Sequence, residues 1–123
     1  MAGHRVGRVS EDIKRELIAL IREMKDPRVM GKMLTVVRVE VSSDASNAKV
    51  FISALEGMET AKLAAQGLKN ATGFLRREVG GRLHLRKAPT LQFFADDSTA
   101  YAMDIAKKLN ALKEEWHEDE DED

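Results

Sequence analysis

The sequence predicts an α+β fold in which helices pack on one three-stranded sheet. Three observations point to it. The elements alternate in type along the chain, in the order α-β-β-α-α-β-α. The strands are few and have helices between them. The 123 residues suit one domain, large enough to bury a core without staples, and the chain has no cysteine.

Each element has its own signal. Residues 1–9 carry His4, Arg5 and Arg8 among Gly and Val and are expected to form a flexible basic arm. Ser10 is the expected N-cap of the first helix, with Glu11 and Asp12 at the end where the helix dipole favours acids. Ile13, Leu17, Leu20, Ile21 and Met24 then share one face at helical spacing. Asp26-Pro27 stops the helix, because the residue before proline disfavours the helical region. Residues 28–32 form a loop containing Gly31.

Leu34 to Val41 reads as a strand. Simple alternation sets Thr35, Val37, Val39 and Val41 on one face and Val36, Arg38 and Glu40 on the other. The Ser/Asp/Asn-rich run Ser42 to Asn47 predicts a hairpin turn, Lys49 to Leu55 a second strand, and Gly57 its end. An Ala-rich helix follows from Glu59, with Ala61, Ala64, Ala65, Leu68 and Ala71 inward. Gly67 and Gly73 weaken it, each by about 1 kcal/mol relative to Ala.

Phe74, Leu75 and Val79 are the expected core positions of a further helix, which Gly80-Gly81 is expected to end or fray. Arg82 to Ala88 is a basic loop closed by Pro89, and Leu91 to Ala95 a third strand in which Phe93 and Phe94 are expected to be core. Asp96, Asp97 and Ser98 offer a cap to a last amphipathic helix bearing Ala102, Ile105, Ala106, Leu109, Leu112 and Trp116.

The net charge of −1 conceals a segregation. Eight of the last ten residues, 114–123, are acidic and none is Lys or Arg. The other 113 residues hold 20 bases and 13 acids, a net of +7. We expect residues 10–113 to form an RNA-binding domain and 114–123 a disordered acidic tail, too polar to bury a core of its own.

The densest basic stretch is Leu75 to Lys87. Arg76, Arg77, Arg82, Arg86 and Lys87 oppose only Glu78, a net of +4 in thirteen residues. Such a cluster can neutralise phosphates, which makes binding salt-dependent. Arg5, Arg8 and Arg28 could extend the contact. Lys49 and Arg38 point to solvent from the sheet. The aromatic pattern of an RNA-recognition sheet is missing.

Catalytic and metal chemistry find little support. His4, His84 and His117 stand apart, with no second His or Cys at ligand spacing, and no metal or other cofactor is expected. No phosphate-binding loop, dinucleotide fingerprint or nucleophile elbow occurs. A hydrolase built on Asp96, Asp97 and His84 would lack a positioned acid–base pair. No apolar run reaches membrane-spanning length, and the first residues lack the apolar core of a signal peptide, so a cytoplasmic protein with no membrane partner is expected. The competing class is a protein-interaction adaptor that uses the sheet or the last helix.

The order α-β-β-α-α-β resembles a KH module of type II with one extra C-terminal helix. The usual Gly-x-x-Gly between the central helices is absent, and the junction reads Ala71-Thr72-Gly73. In this the chain resembles the ribosome-binding factor A family, where an Ala-x-Gly kink replaces that loop. Four stretches carry the likeness, which runs from about Arg5 to about Leu112. They are Lys25-Asp26-Pro27-Arg28-Val29; Val39 to Asp44 continuing through Ala48 to Ser53; Ala71-Thr72-Gly73-Phe74-Leu75-Arg76; and Leu83 to Phe93 with Asp97-Ser98 after it.

The resemblance implies a non-enzymatic bacterial factor that binds 16S rRNA in free 30S subunits late in maturation, near the decoding region and the 5′-terminal helix of that RNA. It implies support of rRNA processing, a link to cold adaptation, and functional partnership with other maturation factors including GTPases. A monomer is expected. The kink at Ala71, Thr72 and Gly73 would let RNA approach closely, with Arg76 and Arg77 as phosphate ligands near a helix N-terminus.

Overall fold

In the computed structural model, which describes residues 2–97 and 106–112, six elements run α1 (Ala2–Glu23), β1 (Leu34–Val41), β2 (Asn47–Ala54), α2 (Met58–Asn70), α3 (Thr72–Arg82) and β3 (Thr90–Ala95). A helical stretch at 106–112 follows, with Leu109 and Leu112 exposed. The expected cap residue Ser98, and Ala102, Ile105 and Trp116 of the expected last helix, lie outside the described residues, as does the tail.

The sheet order is β1-β2-β3, with β1 and β2 antiparallel and β2 and β3 parallel. The β2–β3 crossover is the α2–α3 pair, as a parallel connection requires. This is a type II KH-like α+β arrangement. α1 lies against β1 and touches α3, while α2 covers β3 and β2. α1, α2 and α3 therefore occupy one face. The core fills the layer between, from Ile13 and Leu17 of α1 through Val50 and Ile52 of β2 to Leu68, Leu75 and Val79, all fully buried. Each such side chain contributes about 1.5–3 kcal/mol.

α1 begins well before Ser10. The expected arm from Ala2 onward is helical, and Ser10 lies within the helix rather than capping it. The reason is visible in Val9, which packs against the core and extends the Ile13–Leu17 stripe by another turn. Asp12, expected at the helix start, instead pairs with Arg15 at 2.8 Å.

β1 departs from simple alternation. Val36 faces Ile52 across the ladder, but Arg38 faces Phe51, so Val37 is an extra residue in a β-bulge. The bulge changes the phase of the strand. Val36, Val39 and Val41 all turn toward the helices, while Arg38 and Glu40 face out. The expected split of Val36 from Val39 and Val41 is thereby corrected. An unbroken pleat would force either Val36 or the Val39–Val41 pair out of the core.

The hairpin from Ser42 to Asn47 closes as its composition predicts. Ser42 N donates to Asn47 O at 2.9 Å, and Asp44 Oδ1 accepts from both serine hydroxyls, Ser42 and Ser46, at 2.7 Å. Those bonds to the charged form lower the Asp44 carboxyl to about 2.

α3 runs through Gly80-Gly81 to Arg82, against the expectation that the pair would end it. The loop folds back on the helix here. A Cβ on Gly80 would lie 3.0 Å from Ala88 Cβ, so the glycine is what admits the loop. The helix stops two residues later in a Schellman motif. His84 adopts φ +53°, its N–H donates to Gly81 O at 3.3 Å, and Leu85 N donates to Gly80 O at 2.9 Å.

Candidate nucleic-acid interface

The helix pair breaks at Ala71, whose φ of −98° and ψ of 12° end α2 and start α3. Thr72 caps the end of α2, its hydroxyl donating to Lys69 O at 2.6 Å. The break therefore falls on the first residue of the expected Ala71, Thr72, Gly73 kink. Gly73 lies inside α3 and is not needed for its dihedral freedom. Its contribution is space, because a Cβ there would meet nothing within 4 Å.

The cations of the basic stretch divide into two sets. Arg76 is half-buried and faces inward, donating from Nε at 3.1 Å and Nη2 at 2.9 Å to Ala88 O. Arg82 bridges α3 to α1, with Glu16 and Glu78 both at 3.6 Å. Arg28 grips Asp26 from Nε at 3.0 Å and Nη2 at 2.8 Å. The Asn70 side-chain oxygen, turned toward it, accepts from both Arg28 terminal nitrogens at 3.1 Å. The Arg28 contacts hold the Asp26 carboxyl down at about 2, and raise the guanidinium in turn. These three arginines hold the fold together.

Arg77, Arg86 and Lys87 form the second set. All three are exposed, and their side chains make no ion pair or hydrogen bond to another described residue. Arg76 of the first set anchors the loop that carries two of them. Arg86 and Lys87 immediately precede Ala88, and the Arg76–Ala88 bond ties that loop to α3 one residue before Arg77. An uncommitted guanidinium or ammonium group is what a phosphate can recruit. Arg8 is also exposed, near the start of α1, while the side chain of Arg5 lies outside the described residues.

Two aromatic residues expected in the core are outside it. Phe74 is 47% exposed and Phe94 42%, whereas Phe93 is buried. The signal for Phe74 was present in the spacing. Leu75 and Val79, four apart, make the buried stripe of α3, and Phe74 is one residue out of phase with it.

The outer face of the sheet carries a separate cluster. Arg38 lies over the Phe51 ring at 3.9 Å, and Phe51 stacks on Phe94 with centroids 5.5 Å apart. Arg38 also bonds Glu40 at 2.9 Å and reaches Asp96 at 3.4 Å. Arg38 is thus bound to neighbours on the sheet, and Asp96 is engaged structurally. Among the described residues, no three His, Cys, Asp or Glu side chains converge as a metal site would require, and no helix is long and apolar enough to cross a membrane.

Comparison with known proteins adds to this geometry. The family model described as Ribosome-binding factor A matches residues 5–109. A protein of that name from Desulfitobacterium hafniense is 44% identical over 123 residues, covering 99% of this chain and 97% of its own. The crystal structure of ribosome-binding factor A from Thermus thermophilus superposes with a TM-score of 0.62 at 28% identity, over 73% of this chain and 93% of that one. A Thermus thermophilus ribosome binding factor A model fitted into a cryo-EM map of its 30S complex matches with a TM-score of 0.57 at 30% identity, over 70% and 89%.

Proposed function

The chain belongs to the ribosome-binding factor A family, and on that premise we propose that it binds 16S rRNA in free 30S subunits through Arg77, Arg86 and Lys87. The binding is non-catalytic and needs no cofactor. It holds an rRNA segment in one arrangement during late maturation and so supports processing of the RNA. The protein acts as a monomer in the cytoplasm, alongside other maturation factors including GTPases, and contributes to cold adaptation.

The observation that carries this reading is the Arg76–Ala88 bond, which ties the loop bearing Arg86 and Lys87 to α3 one residue before Arg77. The side chains of these three exposed cations have no partner among the described residues. Support comes also from the Thermus thermophilus relative fitted on the 30S subunit. Arg8 extends the charged surface. Arg5, Arg28, Arg76 and Arg82 assist, the last three by holding the scaffold.

Co-sedimentation with free small subunits and with assembled ribosomes, across a salt series, tests it. The parent chain should pellet with free subunits and release as salt rises. The triple variant R77A/R86A/K87A should bind more weakly and with a shallower salt slope, by up to about 0.7–0.9 per lost phosphate contact. Unchanged affinity and slope in that variant rule this surface out.

A second reading, a protein-interaction adaptor, draws on the outer sheet face, where Phe94 is exposed beside Phe51 and Arg38. Salt-insensitive association with a purified maturation factor, lost in F94A, would favour it.

A further inference from the structure

We propose that Phe74 is the seat on which one unpaired base of the bound RNA stacks, with Arg77 holding a neighbouring phosphate; this rests on the RNA-binding reading above. The interface then takes single-stranded RNA in preference to a duplex.

The argument begins with what the ring does not do. The core of α3 is complete without it, since Leu75 and Val79 are fully buried while Phe74 is about half exposed. Its ring makes no aromatic or cation contact with another described residue. The other exposed aromatic among the described residues, Phe94, differs, because its ring is already stacked on Phe51, and Phe51 carries Arg38 on its own face. The sheet cluster is a finished stack. Phe74 is an open one.

Its surroundings fit a nucleotide. On a helix, residues three apart are neighbours, which sets Phe74 beside Arg77. Gly73, next in the chain, carries no side chain, and a Cβ there would meet nothing within 4 Å among the described residues. The ring face is apolar and accepts any base, whereas the guanidinium beside it accepts a phosphate. Inside a duplex each base is covered on both faces by its neighbours, so away from the duplex ends only an unpaired base can present a face to the ring. The pairing of Phe74 with Arg77 therefore selects for strandedness and not for sequence.

The test uses the full chain and two labelled RNAs of equal length, a single-stranded oligouridine and a blunt duplex, with affinity measured over a salt series. The single strand should bind more tightly than the duplex. F74L should weaken single-strand binding about tenfold, within the range expected for loss of one stacked base, and leave the salt slope unchanged. F74W should bind at least as well as the parent. In F74W/W116F, where residue 74 is the sole tryptophan, its fluorescence should change on adding the single strand. R77A should weaken binding and flatten the slope.

If F74L binds as tightly as the parent while R77A binds weakly, the stacking role is overturned and the RNA-binding reading stands. Equal affinity for duplex and single strand overturns it in the same way. If the parent binds neither RNA nor free small subunits, both fail. Thermal melting of each variant separates loss of the contact from loss of the fold.

Discussion

Arg76 and Ala88, twelve residues apart, are joined by two hydrogen bonds from one guanidinium to one carbonyl oxygen. A charged donor paired to a neutral acceptor in a half-buried place contributes more than an ordinary surface contact. Arg76→Ala should lower stability by about 1–2 kcal/mol in urea unfolding. Arg77→Ala, one residue on and exposed, should leave stability within about 0.5 kcal/mol. Equal loss in the two variants would contradict the division between scaffold and contact arginines.

The adjacent glycines of α3 should respond in opposite directions. Gly81 has open space where a Cβ would go, so Gly81→Ala should gain helix stability of up to about 1 kcal/mol. At Gly80 the new Cβ would meet Ala88 at 3.0 Å, against a loop that Arg76 restrains. Gly80→Ala should lose that gain or reverse it. Thermal midpoints of the two single variants check the order.

Gly67 tests how the Asp26–Val29 turn docks on α2. A Cβ there would lie 3.1 Å from Val29 Cγ2 and 3.4 Å from both Arg28 Cβ and Asp26 Oδ2. Gly67 and Val29 are both buried, so Gly67→Ala should destabilise by about 1–3 kcal/mol despite the better helix propensity of alanine. A more stable variant would show that the turn can move away.

The same turn makes stability depend on acid. The Asp26 carboxyl is lowered from 3.8 to about 2, chiefly by its bonds from Arg28. A group depressed on folding stabilises fully above its ordinary value and loses that contribution as pH falls through the folded one. Stability should therefore decline from about pH 4 to pH 2, in part through Asp26. Asp26→Asn should be less stable at neutral pH and show a shallower decline in that window. Denaturant midpoints at several pH values measure both effects.

Much of the fold was legible because its signals are local. α1 ends at Glu23, shortly before Asp26-Pro27, the Ser/Asp-rich run makes the hairpin, and the second and third strands, Asn47–Ala54 and Thr90–Ala95, fall within two residues of the expected bounds. The misses come from tertiary contacts. Val9 recruits the chain before Ser10 into α1 because there is a core for it to meet. Gly80-Gly81 stays helical because the loop needs the room. The Val37 bulge follows from what the helices bury, which the sequence of β1 alone does not state.

The site was legible as a basic stretch, but its composition could not tell which cations were free. Arg76, Arg82 and Arg28 find partners twelve, four or more, and two residues away, and only folding reveals them. The Ala71-Thr72-Gly73 junction marked the bend to within a residue or two.

Val37 has a consequence for the length of the gene. With that codon deleted, Leu34, Val36, Val39 and Val41 would alternate without interruption against Ala54, Ile52, Val50 and Ala48, the partners they already have. The sheet would lose a local twist and keep its register. A one-residue gap at this place is therefore a change that descendants of this sequence could accept, whereas the same gap one strand later, at Val50, would turn the central strand inside out.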